Sequence, residues 1–273
     1  MILERLHNNE IINNMSLESK FVRDQLVQPI FIHEDEKNET TIPGLGKNKI
    51  LFESNIIETI SDDVKNGCRN FILFFVPKTK SNNQFITSFQ ENILLKIKKE
   101  FGSEIEIWVD LCLCSFTTSG HCCLFEGEKI NYADSLEIMS DIALSYVRGG
   151  ADGIAPSSML NGIVHSVRKK LDLHDFKHIP IMSYSTKFAS NFYGPFRAAA
   201  DSSPSFGDRT SYQLDCTDKE NAIESSVRFS DEGADLLMVK PGLLSLDLIQ
   251  PIIEKTKKPV GAYQVSGEYS SLV

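Results

Sequence analysis

The chain has 273 residues, of which 41% are hydrophobic and 24% charged, a balance ordinary for one large globular domain or two small ones. Its net charge of −9 argues against a nucleic-acid partner, whose phosphates need a basic face. Residues 1–10 lack the apolar core of a secretory leader, and the longest strongly apolar run, Phe71–Val76, is far too short to span a bilayer.

A cytoplasmic protein is therefore expected, with its six cysteines reduced; clustered ones are read as ligands or nucleophiles before disulfides. Residues 1–26 are polar and without a clean period, and read as an arm outside the main fold, which occupies 27–273. From Val27 onward, apolar β-branched runs alternate with amphipathic stretches. The runs are Val27–His33, Asn70–Val76, Ile105–Cys112, Gly153–Pro156, Ile179–Tyr184, Asp235–Val239 and Val260–Val265. Helical patterns lie near Asn55–Lys65, Asn82–Glu100, Ser135–Arg148, Asn161–Leu171, Lys219–Glu232 and Leu244–Lys255. Nearly all-apolar strands with helices between them predict an α/β fold with a parallel sheet buried on both faces. No glycine-rich phosphate fingerprint follows the first strand, which disfavours an open dinucleotide-binding sheet. The reactive polar residues instead fall at strand C-terminal ends, which a (β/α)8 TIM barrel gathers into one mouth.

Three segments carry chemistry. In Asp110-Leu-Cys112-Leu-Cys114-Ser-Phe-Thr-Thr-Ser-Gly120-His121-Cys122-Cys123, the first two cysteines lie two apart at a strand end and so share a face. The seven residues that follow include Gly120 and can bring Cys122 back to them. Three thiolates make a soft cage for Zn2+ with its fourth position open, the arrangement of a catalytic site. Cys123 could replace Cys122 by spacing alone. Core packing would account for one or two of these cysteines but poorly for three at this spacing.

Lys187 and Lys240 each end an apolar run, in Ile181-Met-Ser-Tyr-Ser-Thr-Lys187 and Leu237-Met-Val-Lys240-Pro. Burial and a second ammonium lower a lysine pKa, leaving an amine able to attack a ketone and form a Schiff base. Between the lysines, residues 193–213 read as a long structureless loop, the usual form of an active-site lid. Its Arg197 and Arg209 are suited to clamping a carboxylate.

These segments together resemble the porphobilinogen synthase (5-aminolevulinate dehydratase) family. The resemblance runs from about Val27 to Tyr269 through the zinc loop, Phe192-Tyr-Gly-Pro-Phe-Arg197 with Phe206-Gly-Asp208-Arg209, Met238-Val-Lys240-Pro241 and Tyr263-Gln-Val-Ser266-Gly-Glu-Tyr269. It implies a (β/α)8 barrel whose N-terminal arm wraps a neighbouring subunit in a homo-octamer, condensing two 5-aminolevulinate molecules into porphobilinogen. By this resemblance Lys240 forms the Schiff base with the propionate-side substrate, and Lys187 does the same, or acts electrostatically, for the acetate-side one. Cys112, Cys114 and Cys122 hold zinc, Asp110 lies beside it, Arg197, Arg209 and Gln213 bind the acetate-side carboxylate, and Ser266 the propionate-side one.

The family's two acidic positions after Ala155-Pro-Ser are Ser158 and Asn161 here, and Ser225 stands where many bacterial relatives have a magnesium-binding glutamate. Val273 falls just after the seventh strand, so the resemblance also implies a barrel lacking its last strand and helices. An inactive truncated paralogue is accordingly the alternative reading. A metal-free aldolase-type barrel is a further rival, which zinc in the cysteine loop would exclude.

Overall fold

The structure, a computed structural model, describes residues 5, 9–15, 22–36, 40–42, 44–46 and 48–272. Seven principal strands follow one another in parallel, each near its expected place: β1 (Val27–His33), β3 (Asn70–Val76), β4 (Glu106–Leu111), β7 (Gly153–Pro156), β8 (Met182–Lys187), β9 (Leu236–Lys240) and β10 (Val260–Ala262). Three short strands were not anticipated. Ile50–Leu51 (β2) pairs with β1 at Phe31 and Ile32, and Phe125–Glu126 (β5) forms a hairpin with Lys129–Ile130 (β6). A bridge between Ile154 and Ile181 joins the run β1-β3-β4-β7 to the run β8-β9-β10.

The helices are α1 (Glu10–Met15), α2 (Ile56–Lys65), α3 (Ser88–Phe101), α4 (Tyr132–Arg148), α5 (Ile163–Leu173), α6 (Gly194–Ala199), α7 (Lys219–Asp231), α8 (Leu246–Thr256) and α9 (Ser266–Ser270). Their starts follow capping chemistry: the Asn131 and Asp218 side chains accept from backbone N–H groups in the first turns of α4 and α7. Among the described residues, no helix is long and apolar enough to cross a membrane.

Alternation along the strands separates two cores. Ile30, Ile32, Phe71, Leu73, Ile107 and Val109 face the helices, whereas Phe31, Ile72, Phe74, Trp108, Met182 and Met238 share one interior cluster. Strands from both ends of the sheet order contribute to that single interior, so the sheet is curled into a barrel. Trp108 fills its waist; a Cβ on the facing Gly153 would lie 2.4 Å from the indole, so only glycine fits there. Among the described residues no ladder joins β10 to β1, and a cavity of about 610 Å³ lies between their edges and reaches inward to Lys240.

The described part of the segment read as an arm outside the fold packs into the barrel's N-terminal end. Ile12 is 1% exposed and belongs to the interior cluster. Buried Arg5 pairs with Asp235 at 3.4 Å, and Asn9 hydrogen-bonds the buried Glu106 carboxyl. Hydrophobic burial fixed this placement where a period of so few residues gave no signal.

Burial foremost, then the neighbouring Asp152 charge, raises the Glu106 carboxyl from 4.5 to about 8. The native state therefore holds this proton more tightly than the unfolded chain. Stability from this group is greatest below pH 4.5 and is lost as pH rises through about 8. E106Q is expected to flatten that fall, as measured by urea unfolding at a series of pH values; an unchanged slope would place the pH dependence elsewhere.

Candidate active site

The cysteine loop leaves the end of β4 and turns back at once, with the Phe116 and Thr117 amides both donating to the Leu113 carbonyl at 2.9 Å. This turn brings the Sγ atoms of Cys112, Cys114 and Cys122 within 4.8 Å of one another, all buried. Cys123 is buried but lies outside that group, so the geometry selects Cys122 from the two candidates that spacing left open. Zinc–sulfur bonds of about 2.3 Å in a tetrahedral set require sulfur separations a little under 4 Å, which small adjustments supply. Hydrogen bonds from Cys112 and then Cys114, with the Arg209 charge, push the Cys122 thiol well below its usual range. The donor set thus already favours a thiolate at its centre and suits a soft metal ion.

His121, adjacent in sequence, points elsewhere. Its Nδ1 lies 3.0 Å from the Tyr212 hydroxyl and its Nε2 3.0 Å from the Phe206 carbonyl oxygen. It pins the lid to the cysteine loop.

The lid is not the structureless loop that its glycines and prolines suggested. Gly194–Ala199 form α6, with Pro195 in the first turn, where its missing N–H costs nothing, and an alanine run behind it. Arg209 is 4% exposed and donates from Nη2 to the carbonyls of Gly120 and Ser202. Gly120 sits at φ +67°, and a Cβ there would lie 2.2 Å from the Ser203 carbonyl oxygen. Loop and lid therefore meet backbone to backbone. Burial opposes the Arg209 charge, but the adjoining cysteines, Cys122 foremost, outweigh it and raise the guanidinium pKa.

Half-buried Arg197 stacks over the Tyr193 ring at 5.9 Å, its Nε without a partner. Gln213 is 6% exposed and neither of its amide atoms has a partner. Ser266 is differently engaged: its Oγ accepts from the Phe196 amide at 3.1 Å and donates to the Phe192 carbonyl at 3.2 Å. Its hydroxyl ties α9 to the lid.

The two lysines are register partners on adjacent strands, Lys187 of β8 opposite Lys240 of β9. Simple alternation from Met182 would send Lys187 outward with Thr186 one step from it. A bulge between Ser183 and Thr186 breaks the parity. Ser185 and Thr186 both turn to α7, where their hydroxyls meet Ser226 at 2.9 and 2.7 Å. Tyr184 and Lys187 then both face inward.

Lys187 Nζ donates to the Ser157 carbonyl at 2.7 Å. Lys240, 2% exposed, stands among aromatic rings, with Nζ 3.8 Å from the Tyr263 centroid, 4.6 Å from Phe196 and 5.1 Å from Tyr184. Burial, then the Lys187 charge, lowers Lys240 to about 7 against the partial opposition of Asp110. The Asp110 carboxyl is itself raised to about 6, because burial outweighs the attraction of Lys187 and Lys240. Sequence reasoning missed Tyr184, Tyr193, Phe196 and Tyr263 as site walls; the only local signal was their proximity in sequence to the lysines and the lid.

Two buried amines at strand ends share a barrel mouth with a three-thiol cluster that could hold a metal ion and an arginine-bearing lid, the arrangement of a barrel enzyme's active site. The chain belongs to the delta-aminolevulinic acid dehydratase family, whose sequence profile matches residues 2–273. It is 39% identical over 271 residues to the delta-aminolevulinic acid dehydratase of Halalkalibacterium halodurans, covering 98% of this chain and 83% of that protein. It is 38% identical to the Helicobacter pylori protein of the same name, covering 99% of this chain and 85% of the relative. A solved structure of the Toxoplasma gondii enzyme, in complex with its reaction product porphobilinogen, superposes with a TM-score of 0.85 at 30% identity. That match covers 98% of this chain and 78% of the other.

A lysine with pKa about 7 is neutral above that pH, unlike free lysine at about 10.4. Competitive labelling with acetic anhydride is expected to give Lys240 a half-neutral point near pH 7. A value close to that of free lysine would show that the pocket is wet.

Proposed function

We propose that this chain condenses two molecules of 5-aminolevulinate into porphobilinogen, with loss of two waters, the family's reaction in tetrapyrrole and heme synthesis. The observation that carries the proposal is the register pairing of Lys187 and Lys240 within a buried pocket, with Lys240 depressed to about 7. In this reading Lys240 attacks the ketone of the propionate-side substrate and holds it as an imine. Lys187 does the same for the acetate-side substrate, held in place by its bond to the Ser157 carbonyl.

Arg197, Arg209 and Gln213 receive the acetate-side carboxylate; the partnerless Arg197 Nε and Gln213 amide are free to donate to it. Ser266 serves the propionate-side carboxylate by exchanging its bonds to the lid backbone for the substrate. Cys112, Cys114 and Cys122 hold Zn2+, which when bound supplies Lewis-acid chemistry. The aromatic rings around Lys240 exclude water and so favour its uncharged amine, the form that adds to the ketone. Residues 1–26 act as an arm in a homo-octamer in the cytoplasm, a role compatible with how Arg5, Asn9 and Ile12 grip the barrel end.

The test has two arms. Purified protein incubated with 5-aminolevulinate is expected to form porphobilinogen, and borohydride is expected to reduce a substrate adduct onto Lys240, found by peptide mass spectrometry. K240M should lose at least about 100-fold in turnover; undiminished trapping in K240M would transfer the role to Lys187. Separately, metal analysis of a C112S/C114S variant should show its zinc gone, and a stoichiometry equal to that of the parent would remove these cysteines from the metal site.

A further inference from the structure

Forming an imine expels the ketone oxygen as water, and that oxygen leaves readily only with a proton. We propose that Tyr184 supplies it for the substrate on Lys240, its hydroxyl bonding the carbinolamine oxygen and protonating it as it departs. The inference rests on the Schiff-base reading above and assigns a group to its dehydration step.

Position is the first support. Alternation from Met182 turns Tyr184 inward and the bulge in β8 brings Lys187 to the same side, so that the Tyr184 ring lies 5.1 Å from Lys240 Nζ and 5.6 Å from Lys187 Nζ. Among the described residues it is the ring that both ammonium groups face. The second support is its hydroxyl. Tyr184 is 1% exposed, and its buried OH has only the Asp110 carboxyl beside it, without a well-formed hydrogen bond, so a bound oxygen would complete its bonding.

The third is contrast with the neighbouring tyrosines. The Tyr193 hydroxyl donates to the Phe188 carbonyl at 2.7 Å, and the Tyr212 hydroxyl is taken up by His121 and the Cys122 amide. Tyr263 turns its ring face to Lys240 at 3.8 Å, so that it shields the amine. Burial, and then the charge of Asp110, hold the Tyr184 phenol well above its usual pKa, so the proton is present when the step begins.

The step balances. Lys240 Nζ bonds to the ketone carbon, and an amine proton passes to the ketone oxygen to give the carbinolamine. The C–O bond then breaks, the oxygen leaving as water with the Tyr184 proton while the nitrogen lone pair closes the C=N bond. The proton remaining on nitrogen returns to the Tyr184 oxygen, leaving a neutral imine, one water and tyrosine restored.

The experiment times imine formation. Metal-loaded protein is mixed with 5-aminolevulinate, quenched with borohydride at intervals, and the reduced adduct on Lys240 quantified. Y184F keeps the ring and is expected to slow trapping and kcat by about 100-fold or more, with KM changed by less than about threefold. Metal content and thermal midpoint should match the parent. Placing 3-fluorotyrosine at position 184, which restores a hydroxyl in the same shape, should recover trapping. Y184F that traps and turns over at the parent rate overturns the assignment. So does a loss accompanied by lost metal or a lowered midpoint that 3-fluorotyrosine does not repair. A parent protein that traps no substrate overturns the Schiff-base reading itself, and this inference with it.

Discussion

Two lysine amines set opposite each other in a place with almost no water constrain everything around them. Two ammonium groups there would repel each other and forfeit their hydration, so the pair is tolerable only if one is readily neutral. The pocket meets that condition by packing Tyr263, Phe196 and Tyr184 around Lys240, while Lys187 keeps a hydrogen bond to the Ser157 carbonyl. Asp110 supplies a partial counter-charge and is itself pushed up by burial. The outcome is an asymmetric pair, one lysine anchored and the other walled by aromatic rings, built from chemically identical side chains.

The cysteine loop and the lid form a second coupled unit. Arg209 bonds the Gly120 carbonyl, His121 bonds the Tyr212 hydroxyl, and the Ser115 hydroxyl donates to the Ala200 carbonyl at 2.9 Å. Because Gly120 lets the two backbones touch, the same contact that orders the lid also positions Cys122. Whatever stabilises negative charge on the three thiols also steadies Arg209 above them. The cysteine cluster and the arginine-bearing lid are therefore one electrostatic system, since the guanidinium is drawn to the cysteines most strongly through Cys122.

Among the described residues the opposite end of the barrel carries no such chemistry. Arg5, Asp235, Glu106 and Ile12 close it by ion pairing, hydrogen bonding and burial. Reactive groups at the C-terminal end of the strands and stabilising contacts at the N-terminal end follow from the parallel barrel itself.

The sequence by itself determined the strands, most of the helices, the clustering of three cysteines and the placing of the two lysines at strand ends, because each is encoded locally. Strands Val27–His33 and Asn70–Val76 are continuous apolar runs, and the lysines end apolar stretches. Four other features depended on the fold. The bulge in β8 reverses the parity that would have turned Lys187 away from Lys240, and its cause is the pull of Ser185 and Thr186 toward Ser226 on α7. Convergence of the loop chose Cys122 over Cys123, which spacing rated alike. The Ser266 hydroxyl meets the lid backbone, a contact between segments about 70 residues apart. The described part of residues 1–26 found its place only because Ile12 and Arg5 met a barrel end with an apolar opening and a buried aspartate. Outside the cysteine loop the deciding partner lies far along the chain, so no local pattern could have carried the information.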